Sequence, residues 1–558
     1  MPVWQTAVFQ SWQHLAMMTC IIKSRTFDDG VAKKYPVRIK KYTTSTLNII
    51  MNSGGGIPIP SHRLNSGGGG VEECVDKRPR PFVNKTTAMD FVSSPHGGHL
   101  HPTAHNVAYM SESFKDICAL VGNTNTAPNP TAPSTYPTSR AKSLLRIGKE
   151  QHTSLLKAEQ YGENLVAEVV ITCEPEGASL QMGGLHPRAS LFEKPVNMTQ
   201  AQMAHAEFRK LMRENNVRVL TVREILAYGT DKHVGARVEL ENFAATVLTY
   251  EPQAPLEEFT EADRYYLSEE YKADVLSNMS VPQLIDTILI NPTVNLVPSY
   301  RDTGLTATYS FKPLANLVYT RDQQITTAKG IIMGRLRSPQ RNLEVSLMKF
   351  CFQKLGLEVL GAIEQPGFLE GGDFVPHSID LAFIGIGLRS NMEACFCLME
   401  NDWLGYKRVA IVKDEFDVSQ DRMHLDCVFG LLSETCCVCY EDMLGENSPK
   451  KRLVDEYIYV GGEKKYTLHR QNVEFGCYLK DNGINIIHIP HEKQLEYACN
   501  ILNLGEQRII SVHPEMARKI VRSEHFSGDV QCIDFSPITS MYGAVHCASQ
   551  VVKRKTMH

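Results

Sequence analysis

Leu165-Val-Ala-Glu-Val-Val-Ile-Thr-Cys173 is the stretch on which the fold class turns. It reads as a strand, and from it onward the texture of the chain changes to strands alternating with helical segments. A helical stretch near Gln200 to Asn215 follows, and then a second β-rich run, Val217 to Val222. Strand, helix, strand predicts an α/β unit. The same rhythm returns at Ile331–Leu336, Leu381–Leu388, Arg408–Val412, Ile484–Ile489 and Arg508–Val512, each a short β-rich run set between helical or loop stretches. The expectation is one catalytic α/β domain of repeated β and α units over residues 146–558.

Two regions depart from that texture. Between about Leu226 and Ile290 strand signals fade; Thr260 opens one helical segment, and Ser280-Val-Pro-Gln283 forms a capping box for the next, so residues 226–290 read as a helical insertion. Residues 1–145 carry Gly54-Gly55-Gly56, the run Ser66 to Gly70, and a Thr/Pro/Asn-crowded stretch from Asn123 to Ser139. Such composition offers too little contiguous apolar surface to offset ordering entropy, and the segment reads as a low-complexity, disordered extension. Its His96, His99, His101 and His105 have no Cys or carboxylate companions and read as solvated rather than as metal ligands.

The formal charge of −4, from 58 basic and 62 acidic residues, argues against nucleic acid or an anionic membrane as partner and favours a small molecule. A homo-oligomer is compatible with this balance. No stretch approaches the roughly 20 apolar residues that span a bilayer, so a soluble protein is expected, with the cytoplasm as its compartment. Met1 to Phe27 contains Lys23 and Arg25 but no acidic residue, and an organelle matrix reached through such a transit-like segment is the alternative. The 15 cysteines include Cys436, Cys437 and Cys439 within an apolar strand pattern, which points to reduced buried thiols rather than a secreted disulfide framework.

Four polar motifs place reactive side chains beside glycines or at strand ends: Asn316-Leu-Val-Tyr-Thr-Arg-Asp322, Gly367-Phe-Leu-Glu-Gly-Gly-Asp373, Met423-His-Leu-Asp426 and Ser540-Met-Tyr-Gly-Ala-Val-His-Cys547. Singly, each has an ordinary structural explanation. His424 and Asp426, two apart on an expected strand, would project to one face and suit a metal site, a general base beside a carboxylate, or a polar strand end. The Gly371-Gly372 pair suits a tight turn, and Cys547 suits one more buried thiol.

Together with Arg341-Asn-Leu-Glu344 and Ile384-Gly-Ile-Gly-Leu-Arg389, and in this order, the motifs closely resemble those of the arginine deiminases from roughly Leu165 to Arg554. The resemblance implies a five-bladed pseudo-symmetric α/β propeller, the pentein fold of guanidino-group-modifying enzymes. It implies Cys547 as nucleophile, His424 as acid and base, Asp322 and Asp426 as the carboxylates gripping a guanidinium, and Glu370 as the carboxylate touching guanidinium and histidine. Asn316, Arg341 and Arg389 would hold the substrate's α-carboxylate, and Asp373 would help position its amino-acid end. The implied reaction is hydrolysis of L-arginine to L-citrulline and ammonia, with no metal and no organic cofactor required.

The chemistry of these residue types supports that set. A guanidinium is permanently cationic, and its planar N–H fork calls for facing carboxylates. Beside a thiol it would favour the thiolate needed for attack on its own carbon. A histidine paired with a carboxylate can give a proton to the departing nitrogen and later take one from water. One position departs from the family pattern: Tyr542 stands five residues before Cys547, where many members have Arg. An amidinotransferase or an arginine dihydrolase would use the same Cys/His pair, and a catalytically silent binding protein of the same fold is the alternative from another class.

Overall fold

The computed structural model describes residues 157–556, apart from Glu176, Asp302 and Lys464. The extension of residues 1–145 and its four histidines lie outside the described residues.

The opening stretch forms the strand Ala167–Thr172, which pairs in parallel with Arg218–Thr221 and antiparallel with Gln550–Arg554 near the far end of the chain. Helix Met198–Glu214 connects the parallel pair. It starts where the Asn197 side chain accepts from Gln200 N at 3.1 Å, satisfying an otherwise orphaned amide. Ala201, His205, Phe208 and Met212 recur every three or four positions and are buried. Phe208 alone, fully buried against Phe535, contributes roughly 1.5–3 kcal/mol of apolar burial.

The same pattern, an antiparallel strand pair followed by a helix and a strand parallel to the second, recurs further on. It is built by Gln324–Thr326, Ile331–Met333 and Val359–Ala362 around helix Asn342–Lys354. It recurs in Phe374–Pro376, Leu381–Ile386 and Arg408–Lys413, a sheet widened by Leu453–Tyr459 and Tyr466–Glu474. Phe429–Ser433, Cys436–Tyr440 and Asn485–Ile489 repeat it, as do Leu502–Asn503, Arg508–Ser511 and Asp529–Cys532. Within the parallel pairs, Ala167–Thr172, Ile331–Met333, Leu381–Ile386, Cys436–Tyr440 and Arg508–Ser511 are buried at nearly every position, which is why most of these runs are apolar instead of alternating, whereas partners such as Asn485–Ile489 and Asp529–Cys532 are part exposed. The twelve cysteines among the described residues are all free, and Cys436, Cys437 and Cys439 are buried in their strand.

The insertion carries helices Val234–Val247, Glu261–Tyr265, Glu269–Ser277 and Val281–Ile290, the second and fourth opened by capping boxes at Thr260 and Ser280. It is not wholly helical: strand Thr249–Pro252 falls inside residues 226–290 and pairs with Pro292–Pro298, itself paired with Leu305–Phe311. Four residues are too few to show a period, and this strand exists only because its partner lies about forty residues on in the chain. Among the described residues, no helix is long and apolar enough to cross a membrane.

Candidate active site

The polar motifs sit on the turns that follow or precede the buried strands, and those turns converge on one pocket. Asn316, Asp322, Arg341, Arg389, His424 and Cys547 line it, with Leu191, Tyr319, Gln420, Met423, Met541 and Tyr542 completing the walls. Glu370, Asp373 and Asp426 are buried beside these residues and hold them.

Gly371–Asp373 is one 3-10 turn, with Glu370 preceding it in extended conformation. Its glycines are required by close approach. A Cβ on Gly371 would stand 2.0 Å from the carbonyl oxygen of Arg321, and one on Gly372 would stand 2.7 Å from His424 Nδ1 and 3.1 Å from Asp426 Oδ1. The turn is therefore the surface on which the His424 ring and the Asp426 carboxylate rest. His424 is extended, but Leu425–Cys427 is a 3-10 turn, so the strand expected there is absent. The two side chains share a face because the turn folds over Gly372, not because of strand alternation. Asp373 accepts from Leu425 N at 2.9 Å and from Ser390 Oγ at 2.6 Å. Both its oxygens are committed to holding these turns, and burial raises its carboxyl to about 6.

His424 Nε2 lies 2.8 Å from Glu370 Oε2. Burial opposes the imidazolium, but the Glu370 bond and the charges of Asp322 and Asp373 win and raise it to about 9. Burial likewise opposes the Glu370 carboxylate, and the His424 bond holds it below the ordinary range, helped by Arg389 and Arg341. Near neutrality the couple is an ion pair with its proton on His424.

Arg341 donates from NH1 to Asp322 Oδ2 at 2.8 Å and from Nε and NH2 to Glu344 Oε2 at 3.0 and 2.8 Å. Asp322 Oδ1 is buried with no hydrogen-bond partner, and so is Arg389 Nε, while Arg389 NH2 reaches Gln420 at 3.1 Å. Asn316 Nδ2 donates to the carbonyl of Ser190 at 2.9 Å. Polar atoms left open in a buried pocket carry a desolvation cost that a polar ligand would remove.

Cys547 is buried, and its Sγ lies 3.4 Å from Asp426 Oδ2. Burial, then the nearby Asp426 carboxylate, push the thiol well above its usual value and favour the thiol over the thiolate. Asp426 Oδ2 also binds His546 Nδ1 at 2.8 Å, and His546 Nε2 binds Glu163 Oε1 at 2.8 Å. Burial and Arg321 oppose a charge on His546, yet the two carboxylates raise it above its ordinary value. Asp426 thus already has partners on Oδ2, and its Oδ1 lies 3.6 Å from the Cys427 thiol. The donor atoms of His424, Asp426 and Cys427 lie within 4.8 Å of one another, but burial pushes the Cys427 thiol well up, against the thiolate a metal needs.

Sequence reasoning missed several members. Glu163 and Asn500 belong to no motif, and His546 stood in the sequence only as the neighbour of Cys547. Tyr319 donates to the carbonyl of Ile538 at 2.8 Å, and a Cβ on Gly543 would sit 2.5 Å from its ring, so it supports the loop that carries Tyr542. Tyr542 itself has φ +68°, a left-handed conformation uncommon for a side chain of that size.

The sequence model of the arginine deiminase family matches residues 189–554, well over half of the 558. The chain belongs to the arginine deiminase family. Similar proteins include the arginine deiminase of Halobacterium salinarum (strain ATCC 29341 / DSM 671 / R1), 23% identical over 44% of this chain and 65% of that protein. The arginine deiminase of Staphylococcus aureus (strain Newman) is 26% identical over 43% of this chain and 59% of its own length. The chain thus matches under two thirds of the length of these curated arginine deiminases. Among solved structures, a cysteine-to-serine variant of dimethylarginine dimethylaminohydrolase from Pseudomonas aeruginosa, complexed with citrulline, is 17% identical. It covers 69% of this chain and 98% of that one, with a TM-score of 0.38. An amidinotransferase from Microseira wollei is 14% identical over 72% and 98% of the two chains, with a TM-score of 0.42.

Proposed function

We propose that this member of the arginine deiminase family hydrolyses L-arginine to L-citrulline and ammonia through a covalent intermediate on Cys547. The observation that carries the reading is one pocket that joins a thiol, Cys547, to a histidine paired with a buried carboxylate, His424 on Glu370, and an open carboxylate oxygen on Asp322. We read the five similar sheets as blades of a pseudo-symmetric propeller whose turns supply those groups.

Substrate guanidinium donates to Asp322 Oδ1, and its N–H groups replace the thiol proton at Asp426 Oδ2. The thiol proton leaves to solvent as the cation enters, because the new positive charge offsets what the carboxylates and burial impose on Cys547. The thiolate attacks the guanidinium carbon. His424 gives its proton to the departing nitrogen, ammonia leaves, and an S-alkylthiouronium remains on Sγ. The now neutral imidazole takes a proton from water, whose oxygen adds to the same carbon; collapse expels the sulfur and forms citrulline. Arg389, whose Nε is open, and Asn316 line the same pocket, suit the α-carboxylate and favour free arginine over agmatine.

The test is product stoichiometry with purified protein. One citrulline and one ammonia per arginine is the expected result. Ornithine with two ammonia would indicate a dihydrolase, amidino transfer to an added amine would indicate a transferase, and no turnover of arginine, agmatine or a methylated arginine would overturn the catalytic reading.

A further inference from the structure

Asn500 lies in the loop between helix His491–Leu495 and strand Leu502–Asn503, is fully buried, and belongs to none of the motifs that name the site. Its amide orientation is constrained from both sides. Oδ1 accepts from the backbone N–H of His546 at 3.0 Å and of Cys547 at 3.4 Å. Nδ2 donates to the carbonyl of Asp426 at 3.2 Å. With the oxygen held by two N–H donors, the NH2 group must face the other way, and its second N–H points at Cys547 Sγ, 3.1 Å distant.

We infer that Asn500 is a further catalytic residue, the hydrogen-bond donor that stabilises the Cys547 thiolate and sets the direction from which its sulfur attacks. The inference rests on the reading of Cys547 as nucleophile. Burial and the Asp426 carboxylate, its Oδ2 3.4 Å away, resist negative charge on that sulfur, and a backbone hydrogen bond at Ala544 is the other contact that favours it. The Asn500 N–H is a donor fixed before substrate arrives, so it pays no reorientation cost when charge develops on sulfur. Because one amide ties His546, Cys547 and Asp426 together, it also holds the nucleophile in register with the carboxylate that grips the guanidinium. The sulfur must be a better acceptor as thiolate than as thiol, so the bond favours the ionised form.

The experiment compares wild type with Asn500→Ala and Asn500→Asp, the second keeping size and the Oδ1 acceptor while replacing the donor by an oxygen. Readouts are the pH dependence of Cys547 alkylation by iodoacetamide, and kcat and KM for arginine. The expected result is an upward move of the alkylation inflection by about one pH unit or more and a kcat loss of about 10- to 100-fold with KM changed by less than about threefold. An unmoved inflection with near-normal kcat in a folded variant overturns the inference. If thermal melting shows that neither variant folds, the role of Asn500 is structural and the inference also falls. Cys547→Ser run in parallel separates the two readings: retained citrulline formation there means that the nucleophile assignment has failed, whereas its loss beside normal Asn500 variants means that only this inference has.

Discussion

The imidazole of His424 and the carboxylate of Glu370 meet through Nε2 and Oε2 at 2.8 Å, with both side chains 1% exposed. No solvent screens the pair, so each sets the protonation state of the other. His424 is held protonated to about pH 9, which suits a group that must first give a proton in a pocket already rich in carboxylates. Glu370→Gln removes the charge while keeping the shape. The alkaline limb of the kcat profile, expected near pH 9 in the wild type, should move down by at least about one unit in the variant. For stability the sign runs the same way: a folded value raised above about 6.5 stabilises fully below about pH 6.5 and loses that contribution as pH rises through about 9. The Tm difference between wild type and Glu370→Gln should therefore shrink above pH 9, and a constant difference would sink the pairing argument.

Cys547→Ser should abolish citrulline formation and leave the Tm within a few degrees, because the buried thiol is replaced by a smaller group that can still donate to Asp426. Residual turnover above a few per cent, measured as citrulline, would rule out the covalent route.

Arg389 is tethered by Gln420 but keeps a buried Nε without a partner. Arg389→Ala should lower kcat/KM for arginine by about 100-fold, the worth of a charge-assisted bidentate contact, and leave agmatine, which lacks a carboxylate, within about threefold. Equal losses on the two substrates would remove Arg389 from the carboxylate site.

His546 separates Glu163 from Asp426, bonded to each at 2.8 Å. His546→Ala leaves two buried carboxylates facing one another with the bridging cation gone, and should destabilise the protein by about 3–5 kcal/mol in urea titration. A loss below about 1 kcal/mol would mean that Arg321, 3.6 Å from Glu163, is enough to balance both.

Gly372→Ala places a methyl 2.7 Å from His424 Nδ1. The ring must leave its place against Glu370, so kcat should fall by about 100-fold, while Gly235→Ala, where the added methyl meets nothing, should leave kcat unchanged. Normal turnover in Gly372→Ala would show the ring to be free to relocate.

Much of the molecule could be read from the chain alone. The α/β class was visible because strands buried on both faces are written as unbroken apolar runs, as in Leu165–Cys173 and Leu381–Leu388. Cys547, His424, Asp322 and Glu370 were legible because each carries its own chemistry and stands in a motif. The strand Thr249–Pro252 was not, being defined by a partner distant in sequence. Nor was the 3-10 turn at Leu425–Cys427, which depends on what Gly372 leaves room for.

By itself the sequence determined which groups capable of acid, base, nucleophilic and ionic chemistry exist, and the order in which they come. Tertiary structure decided their charges. Cys547 is a protonated thiol, His424 an imidazolium and Glu370 a carboxylate because of what lies within about four ångströms of each. Those neighbours, Asn500 and Asp426 among them, come from turns far apart along the chain. Propensity and periodicity report on local backbone and burial, whereas a proton's position depends on distances that only the folded chain defines.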